Sequence, residues 1–346
     1  MRAACVLKKG IIMETKKYKV ALIGCGSIAP NHLGALAAID NVEVVALCDV
    51  LPERAEKRRG EFAPDAKIYT DYEEMLNCEE LDAVHIATPH YLHAPMAIEA
   101  LKKDINVFLE KPVCINLQQL DELLSAEKSS KGKVCVCFQN RFNPSTVIAK
   151  RLAEADGGVR SAYGSVFWYR SEPYYTKSGW RGSYATEGGG VMINQAIHTI
   201  DLLCEFIGKP VSVTATKANH HLKGIIEVED TCEGVINFED GRHANFYATT
   251  SFEGKDATTV FLVTKNHTIH IQYSAVYYDG VKIDDPSLVA DFCGKECYGN
   301  GHKYLIAKFY ETLAQGGEMP VALSDATYAI KVLLAAYRSN DEEVEI

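Results

Sequence analysis

Long apolar runs are scarce in this chain of 346 residues. The longest, at 20–24 and 83–88, have the length of strands, whereas a helix that crosses a bilayer needs roughly 20 consecutive apolar residues. A membrane-spanning segment is therefore not expected, and internal repeats and low-complexity tracts are lacking as well. Hydrophobic residues at 47% and charged residues at 24% match ordinary globular proteins, so the composition predicts a folded, soluble chain.

Positive charge is also in short supply. The chain has 36 Lys and Arg residues against 46 Asp and Glu residues, a formal net charge of −10, and no basic stripe is visible. A protein that binds nucleic acid or an anionic membrane needs such residues to neutralise phosphates. We therefore expect neither nucleic acid nor a membrane as a partner.

The cysteines do not form the pattern of a disulfide framework. They number 11, an odd count, and several lie in apolar strand patterns where a free thiol acts as a small hydrophobic side chain. This usage fits a reducing cytoplasm, which is the predicted location. Cys135, Cys137, Cys293 and Cys297 could bind a metal only if the two pairs met in space, so buried or incidental thiols are favoured and no metal is predicted.

The first residues differ in composition from the rest of the chain. Residues 1–13 are a short basic stretch without the apolar core or cleavage site of a secretory signal, and Met13 opens a more ordinary beginning. We expect this stretch to be disordered or an alternative start.

The first half of the chain alternates short β-rich runs with amphipathic stretches, which is the pattern of a doubly wound parallel sheet. Predicted strands lie at 19–23, 42–49, 67–69, 83–87, 106–110 and 133–138. Predicted helices start at Pro30 and Pro52 and lie at 71–76, 93–103 and 117–129. We assign residues 14–139 to this α/β domain, which binds the cofactor.

The second half changes to longer segments with period-2 patterning, which favour a large, mostly antiparallel sheet. The segments are 161–170, 211–218, 231–238 and 257–272, and helices are predicted at 191–207, 304–314 and 324–339. Residues 140–346 are assigned to an α+β domain for substrate binding and oligomerisation. No flexible linker separates the halves, so a cleft between two closely packed domains is the natural active site.

A glycine-rich turn follows the first strand. Gly24 permits the tight turn, Gly26 lets the backbone approach a pyrophosphate, and the helix that begins after Ser27 and Ile28 offers amide donors to the phosphates. Asp49 ends the second strand, where a carboxylate can bind the adenosine ribose and disfavour a 2′-phosphate. NAD is therefore the predicted cofactor. NADP stays possible because Arg54 is near, and a capping or turn role for Asp49 stays open.

Two further motifs end strands at the same edge of the sheet. Thr88, Pro89 and His93 follow the fourth strand, where they either line the cofactor site or cap the next helix. Glu110 and Lys111 end the fifth strand as adjacent opposite charges. A lysine desolvated there beside a cationic nicotinamide would have a lowered pKa suited to proton transfer, while a surface Glu-Lys turn is the alternative.

The second domain places three glycines, 188–190, before an apolar helix that carries Asn194, His198 and Asp201. If 191–207 is one helix, these three polar residues share one stripe. His198 is then either a satisfied core histidine or a base whose tautomer Asn194 and Asp201 fix.

Together these motifs resemble the glucose-fructose oxidoreductase / inositol dehydrogenase family, called Gfo/Idh/MocA, over nearly the whole chain. The most specific piece is Glu110-Lys111-Pro112; His32 after the glycine turn, the sequence 228–230 and Gly301-His302 also match. The resemblance implies a Rossmann domain, an open second sheet that makes homodimers or homotetramers, a cis Lys111-Pro112 peptide, and Lys111 with His198 as the catalytic pair.

One departure concerns Asn194, because many family members carry Asp there and a neutral amide cannot accept a proton. The Asn variant is similar to a branch that includes sugar-nucleotide dehydrogenases. Tyr174, Tyr175, Trp180 and Arg181 suit a sugar ring, although a lid or interface loop is an alternative, and Arg141 is a further substrate-side candidate.

The leading hypothesis is reversible hydride transfer between the nicotinamide and a secondary alcohol of a sugar, cyclitol or sugar derivative. His198 would take the hydroxyl proton, Lys111 would stabilise the developing alkoxide or relay the proton, and Asn194 would hold a neighbouring hydroxyl. One alternative is an NAD-retaining glycosidase that acts by oxidation and elimination. Another is a non-catalytic regulator that senses dinucleotide.

Overall fold

The computed structural model describes residues 16–288 and 299–346. Residues 1–13, Cys293 and Cys297, on which some of the predictions fall, lie outside the described residues. Within the described residues the cysteines are free, and Cys135 and Cys137 are buried among apolar side chains. In the part described, no helix is both long and apolar enough to cross a membrane.

The first sheet has six parallel strands in the order β3-β2-β1-β4-β5-β6, as predicted for a doubly wound fold. The strands are β1 (Tyr18–Ile23), β2 (Val42–Cys48), β3 (Lys67–Tyr69), β4 (Ala83–Ile86), β5 (Asn106–Leu109) and β6 (Val134–Val136). The strand order reverses between β1 and β4, and ligands of such folds bind beyond the carboxyl ends of the strands at that point.

Helices connect these strands. They are α1 (Ala29–Leu36), α2 (Pro52–Phe62), α3 (Tyr72–Cys78), α4 (His93–Leu101) and α5 (Leu117–Ser129). Proline in the first turn starts α1 and α2, whereas Asp71 and Asn116 cap α3 and α5 by accepting backbone N–H bonds. These local signals explain why most predicted helix starts are correct to within one or two residues.

The second sheet has nine strands in the order β14-β13-β12-β11-β7-β10-β9-β8-β15, antiparallel except for the pair β7 and β10. The strands are β7 (Ser161–Phe167), β8 (Pro210–Ala218), β9 (Thr231–Phe238), β10 (His243–Thr249), β11 (Ala257–Val263), β12 (Thr268–Gln272), β13 (Ala275–Tyr278), β14 (Val281–Lys282) and β15 (Val344–Glu345). The predicted strand 257–272 is wrong as one segment, because residues 264–267 form a turn between β11 and β12.

The remaining helices belong to the second half of the chain. They are α6 (Pro144–Ala155), α7 (Glu172–Thr176), α8 (Ile197–Ile207), α9 (Gly301–Gln315) and α10 (Leu323–Ser339). Helices α8 and α10 pack on the second sheet. Helix α9 packs on α1, and the hydroxyl of its Tyr310 lies 2.9 Å from Nε2 of His85 on β4. The second half of the chain therefore covers part of the first domain.

The predicted helix 191–207 is interrupted at its start. Residues Met192–Ala196 form a π-helical turn, and the regular α8 begins only at Ile197. A π turn carries one residue more than an α turn and is frequent at functional sites. The single stripe expected for Asn194, His198 and Asp201 therefore does not form as predicted.

Candidate active site

The glycine-rich turn lies at the carboxyl end of β1, beside the end of β4. Gly24 has φ of 95°, and a Cβ there would come within 2.4 Å of the carbonyl oxygen of Ala87. A Cβ on Gly26 would meet no atom within 4 Å, so open space lies in front of this residue. Ser27 is exposed, and Ile28 precedes the first turn of α1. This arrangement suits a pyrophosphate that approaches the backbone.

The side chain of Asp49 is hydrogen-bonded to this turn. Its Oδ2 accepts a hydrogen bond from the backbone N–H of Cys25 at 2.9 Å, and its Oδ1 accepts one from Leu51 at 3.0 Å. Each oxygen keeps a second lone pair for a ribose hydroxyl. Arg58, one helical turn beyond the exposed Arg54, reaches the loop by donating to the carbonyl oxygen of Gly26 at 3.1 Å. Sequence reasoning missed Arg58, although its helical spacing from Arg54 was visible.

His93 ties two strand ends together. Its Nδ1 lies 2.7 Å from the carbonyl oxygen of Pro112, and its Nε2 lies 2.8 Å from that of Thr88. Neither His93 nor Thr88 caps α4, because the residue at its N-cap makes no side-chain hydrogen bond and Thr88 Oγ1 contacts the sulfur of Met96. The capping alternative is therefore wrong. Both ring nitrogens are engaged by backbone, so His93 would shape the cofactor site through Thr88 and Pro112.

Glu110 is buried inside a chain of histidines. Its Oε1 accepts from Nε2 of His32 at 3.0 Å and lies 3.4 Å from Nε2 of His302 on α9. On the far side Nδ1 of His32 is 2.9 Å from Nδ1 of His85. Burial acts to raise the pKa of the Glu110 carboxyl, but the bonds from His302 and His32 outweigh it and hold that pKa well below its usual range. The alternative of a surface Glu-Lys turn is wrong.

The same three side chains are the group most suited to a metal in the part of the chain that the structure describes. His32, Glu110 and His302 bring one ligand atom each to within 4.8 Å of the others. Hydrogen bonding to the shared carboxylate oxygen already explains this geometry, since both imidazoles direct Nε2 at it. The three side chains therefore form a hydrogen-bonded cluster that supports the end of β5.

Lys111, at the end of the first domain's fifth strand, contacts the segment of the second domain that carries His198. Nζ of Lys111 donates to the backbone oxygen of Asn194 at 2.8 Å, and the Lys111–Pro112 peptide is cis, as the resemblance implied. Burial lowers the pKa of Lys111 against the opposing effect of Glu110. The pKa of His198 is well below its usual value, chiefly through burial and then through Lys111, so the imidazole is a neutral proton acceptor.

The orientation of His198 differs from the prediction. Its Nε2 lies 3.4 Å from Nε2 of Gln139, and its buried Nδ1 has no hydrogen-bond partner among residues 16–288 and 299–346. Asp201 does not orient the ring, because its carboxylate binds Arg141 with distances of 2.9 and 2.6 Å. Gln139 has the orienting position, and no local pattern in the sequence indicated it.

Arg141 is held inside the protein. Besides Asp201, its guanidinium binds Glu205 at 2.9 Å, and its side chain is only 12% exposed. This interior ion pair accounts for the charge of Arg141 without a substrate. Its predicted contact with substrate has no support in this geometry.

Of the two tyrosines on helix α7, Tyr174 and not Tyr175 contacts Asn194. The hydroxyl of Tyr174 lies within 3.4 Å of the amide nitrogens of Asn194 and Gln195. Tyr175 is buried, with its hydroxyl 3.4 Å from Thr250, because it packs into a small separate apolar cluster with Leu222. The prediction that Tyr175 lines the substrate site therefore conflicts with its position.

Arg181 packs against two aromatic side chains, those of Tyr174 and Trp180. The guanidinium of Arg181 stands over the rings of Tyr174 and Trp180 at 4.4 and 4.5 Å, and Trp180 packs against His90 at 4.6 Å between ring centroids. A flat cation stacked on aromatic faces is preorganised for a planar or anionic group.

Glu187 was not singled out as a site residue from the sequence, although it directly precedes the three glycines. Its Oε1 accepts from Nδ2 of Asn194 at 2.5 Å, and its Oε2 accepts from the backbone N–H of Gly182 at 2.6 Å. Burial, opposed by these bonds, raises the pKa of Glu187 to about 7. A carboxyl that titrates near neutrality therefore contacts a predicted catalytic residue.

Two family models match the chain. "Oxidoreductase family, NAD-binding Rossmann fold" matches residues 18–138, and "GFO/IDH/MocA C-terminal domain" matches residues 149–270. Together they span the whole of the first sheet and the second sheet from β7 into β12.

Among curated relatives, inositol 2-dehydrogenase of Salmonella typhimurium is 32% identical over 139 residues, 40% of this chain and 41% of the relative. The match therefore spans about two fifths of that protein. A relative from Bacillus subtilis, described as the uncharacterized oxidoreductase YrbE, is 25% identical over 94% of this chain and 95% of its own length.

Solved structures match over almost the whole chain. The WlbA dehydrogenase from Bordetella pertussis, in complex with NADH and UDP-GlcNAcA, has a TM-score of 0.85 at 25% identity, covering 96% of this chain and 98% of its own. Levoglucosan dehydrogenase, in complex with NADH and levoglucosan, has a TM-score of 0.86 at 21% identity, covering 96% and 100%.

Proposed function

Because this chain belongs to the Gfo/Idh/MocA family of NAD-binding oxidoreductases, we propose that it is a sugar or cyclitol dehydrogenase. The reaction is reversible transfer of a hydride between a secondary alcohol and NAD. The observation that carries this proposal is the contact of Lys111 with Asn194, close enough to the neutral His198 that the charge of Lys111 helps to lower the pKa of that histidine. When bound, NAD supplies the hydride acceptor.

Each protein group has one task in this mechanism. His198 takes the proton of the reacting hydroxyl, since burial and Lys111 keep its imidazole neutral. Lys111 lies beside the same oxygen and stabilises the negative charge that develops on it. Asn194 binds a neighbouring hydroxyl and fixes the orientation of the ring.

The residues proposed to hold NAD lie along the carboxyl edge of the first sheet. They are Gly24, Gly26, Ser27, Ile28, Asp49, Thr88, Pro89, His93, Glu110 and Lys111. Asp49 at the end of β2 favours NAD over NADP, because its carboxylate would face the ribose hydroxyl that bears the extra phosphate in NADP. The buried hydrogen bonds of Glu110 and His93 keep the edge rigid.

The substrate class is a polyhydroxylated ring, free or carrying an anionic group. Support comes from the relatives, which are named for inositol and levoglucosan or were solved with UDP-GlcNAcA. Arg181 over Tyr174 and Trp180 offers a stacking surface and a cation to such a ligand.

A substrate panel tests the proposal. Purified protein with NAD is mixed with myo-inositol, levoglucosan and UDP-GlcNAcA, and formation of reduced nicotinamide is followed by its absorbance. Turnover of at least one compound is expected. Tight NAD binding without turnover of any sugar or cyclitol would contradict it and favour a dinucleotide sensor. Cleavage of a chromogenic glycoside without net NADH would point to the glycosidase reaction.

We infer that the protein forms homodimers or homotetramers through the open face of its second sheet. On that face Tyr163 stacks on Phe261 at 5.3 Å, and Phe167 stacks on Tyr247 at 5.2 Å. Tyr163 is 44% exposed and Val235 is 36% exposed. Aromatic side chains grouped on an uncovered sheet are typical of a surface that another subunit covers.

A further inference from the structure

Glu187 is a buried carboxylate that nothing in the proposed mechanism uses. Its side chain belongs to a residue only 1% exposed. Both oxygens are engaged by donors, one by Nδ2 of Asn194 at 2.5 Å and the other by the backbone N–H of Gly182 at 2.6 Å. An ionised carboxylate only accepts hydrogen bonds, so Asn194 must present its NH₂ group to Glu187.

This contact fixes the direction of the Asn194 amide. With Nδ2 turned to Glu187 and Tyr174, the carbonyl oxygen Oδ1 is the free end, and it receives no hydrogen bond from any residue in 16–288 or 299–346. Asn194 is half-buried, and its own backbone oxygen holds Nζ of Lys111. The residue that carries this unused acceptor is therefore the one that binds Lys111 through its backbone.

We propose that Glu187 is a positioning residue that, while ionised, turns the acceptor oxygen of Asn194 towards a substrate hydroxyl. On protonation Glu187 becomes an O–H donor, so the Asn194 amide turns over and presents NH₂ to the substrate instead. This inference rests on the proposed dehydrogenase function for its catalytic consequence, but the Glu187–Asn194 contact is independent of it.

The surroundings of Glu187 allow it to titrate in the neutral range. Burial is the largest effect on its pKa, which is raised to about 7; Arg181 acts to lower it and the buried Glu229 acts to raise it. The charge of Glu187 also acts to raise the pKa of Lys111, which burial lowers.

Three further groups lie close by. The hydroxyl of Tyr174 contacts the same Asn194 amide. Burial raises the pKa of Tyr175, and the charge of Glu187 adds to that effect. The ring of His90 binds the backbone oxygen of Glu187 at 2.8 Å, and burial keeps the pKa of His90 well below its usual value. His90 is therefore neutral throughout the range in which Glu187 changes charge.

The sign of the pH effect follows from the direction of this shift. A carboxyl with a raised pKa is ionised only above that pKa, so Oδ1 of Asn194 faces the substrate above about pH 7. Below it the amide turns, and a hydroxyl that donates to Oδ1 loses its acceptor. Activity should fall on the acid side through one proton, whereas His198, with its lowered pKa, stays neutral there.

Glu187→Gln mimics the protonated state. The N–H of Gly182 requires an acceptor, so the Gln oxygen turns to Gly182 and its NH₂ turns to Asn194, which then accepts through Oδ1. Glu187→Asp keeps an ionisable carboxyl. Glu127→Gln is the matched control, because Glu127 is a partly buried glutamate that also accepts a backbone N–H, at 2.8 Å from Val134, in the first domain.

The first measurement needs no substrate. Protein labelled with ¹⁵N-asparagine and saturated with NAD is followed by NMR from about pH 6 to about pH 8, a range that spans the raised carboxyl pKa. The side-chain amide signal assigned by Asn194→Asp should shift with one apparent pKa near neutrality. The shift should vanish in Glu187→Gln and persist in Glu127→Gln; a signal that does not move in the wild type overturns the proposal.

The second measurement is the pH profile of kcat/KM with myo-inositol and UDP-GlcNAcA as probes. Glu187→Gln should lose the acid limb and run about tenfold slower at alkaline pH, the order expected for one lost hydrogen bond. Glu187→Asp should restore an acid limb. A wild-type profile in Glu187→Gln overturns the positioning role. An NMR shift without turnover of any sugar or cyclitol contradicts the proposed function and leaves the Glu187–Asn194 coupling standing.

Discussion

At the level of single residues, Lys111 combines a buried ammonium with a fixed hydrogen bond to the backbone of Asn194. We expect Lys111→Ala to reduce turnover about 10²- to 10³-fold, the range for loss of a group that stabilises developing negative charge. NAD affinity should change little, because the glycine turn and Asp49 lie on the other half of the cofactor site. Steady-state kinetics and titration of NAD into the protein separate the two effects.

The control for this variant is Lys103→Ala. Lys103 is an exposed lysine of the same domain, and its Nζ binds only the side chain of Asn77 at 2.6 Å in the part described. It should keep wild-type turnover. Near-normal turnover in Lys111→Ala would show that Lys111 does not touch the reacting oxygen.

Asp49 determines the second prediction at this scale. Its carboxylate is held by the N–H groups of Cys25 and Leu51, so it cannot swing away from a 2′-phosphate. We expect NAD to bind at least about tenfold tighter than NADP, because unpaired like charges at close range cost several kcal/mol. Asp49→Ala should reduce the difference between the affinities for NAD and NADP, chiefly by weakening the binding of NAD. Isothermal titration of both dinucleotides measures this change.

Arg54→Ala serves as the comparison, since Arg54 is exposed and the loop contact belongs to Arg58. The preference for NAD should survive in this variant. Equal or tighter binding of NADP by the wild type would mean that Asp49 does not face the ribose.

At the level of elements, the start of the helical segment 192–207 depends on one buried carboxylate. Glu229 accepts from the backbone N–H groups of Gly190 and Met192 at 3.0 Å and from the hydroxyl of Tyr337 at 3.0 Å. We expect Glu229→Ala to lower the free energy of unfolding by about 2–4 kcal/mol, because it leaves buried donors unpaired. Urea unfolding monitored by circular dichroism measures the change.

Glu154→Ala removes a carboxylate from an exposed position on helix α6, away from the open face of the second sheet. Its effect should stay within about 0.5 kcal/mol, as for most surface substitutions. Equal effects of the two substitutions would show that Glu229 does not hold the helix start.

Most elements were predictable because their signals are local. The turn at Gly24, the starts of α1 and α2 at proline, and the alternation of β9 all rest on neighbouring residues. The π turn was not predictable, since its apolar positions fit an ordinary helix equally well. The turn at 264–267 lacks glycine and proline, so β11 and β12 were merged although the residues between them are all polar.

At the level of the whole molecule, the site is assembled from segments far apart in sequence. Sequence motifs identified Lys111, His198 and Asn194 because each lies in a recognisable local pattern. Gln139 beside His198 and His302 beside Glu110 come from pairings that no local pattern encodes. Helix α9 brings His302 back to the first sheet, so the packing of the two domains sets the environment of Glu110.

The open face of the second sheet gives the prediction for the assembled protein. Tyr163 lies near its middle on β7, paired with Phe261 of β11 and Asn245 of β10. We expect Tyr163→Glu to shift the protein from dimers or tetramers towards monomers, because a carboxylate buried in an apolar interface lacks a partner. Sedimentation velocity measures the shift. Tyr328→Glu alters a tyrosine that is 36% exposed, against 44% for Tyr163; it lies on α10, a helix packed against β8, and its substitution should leave the assembly intact. A wild-type protein that sediments as a monomer at all concentrations would mean that the aromatic face has another use.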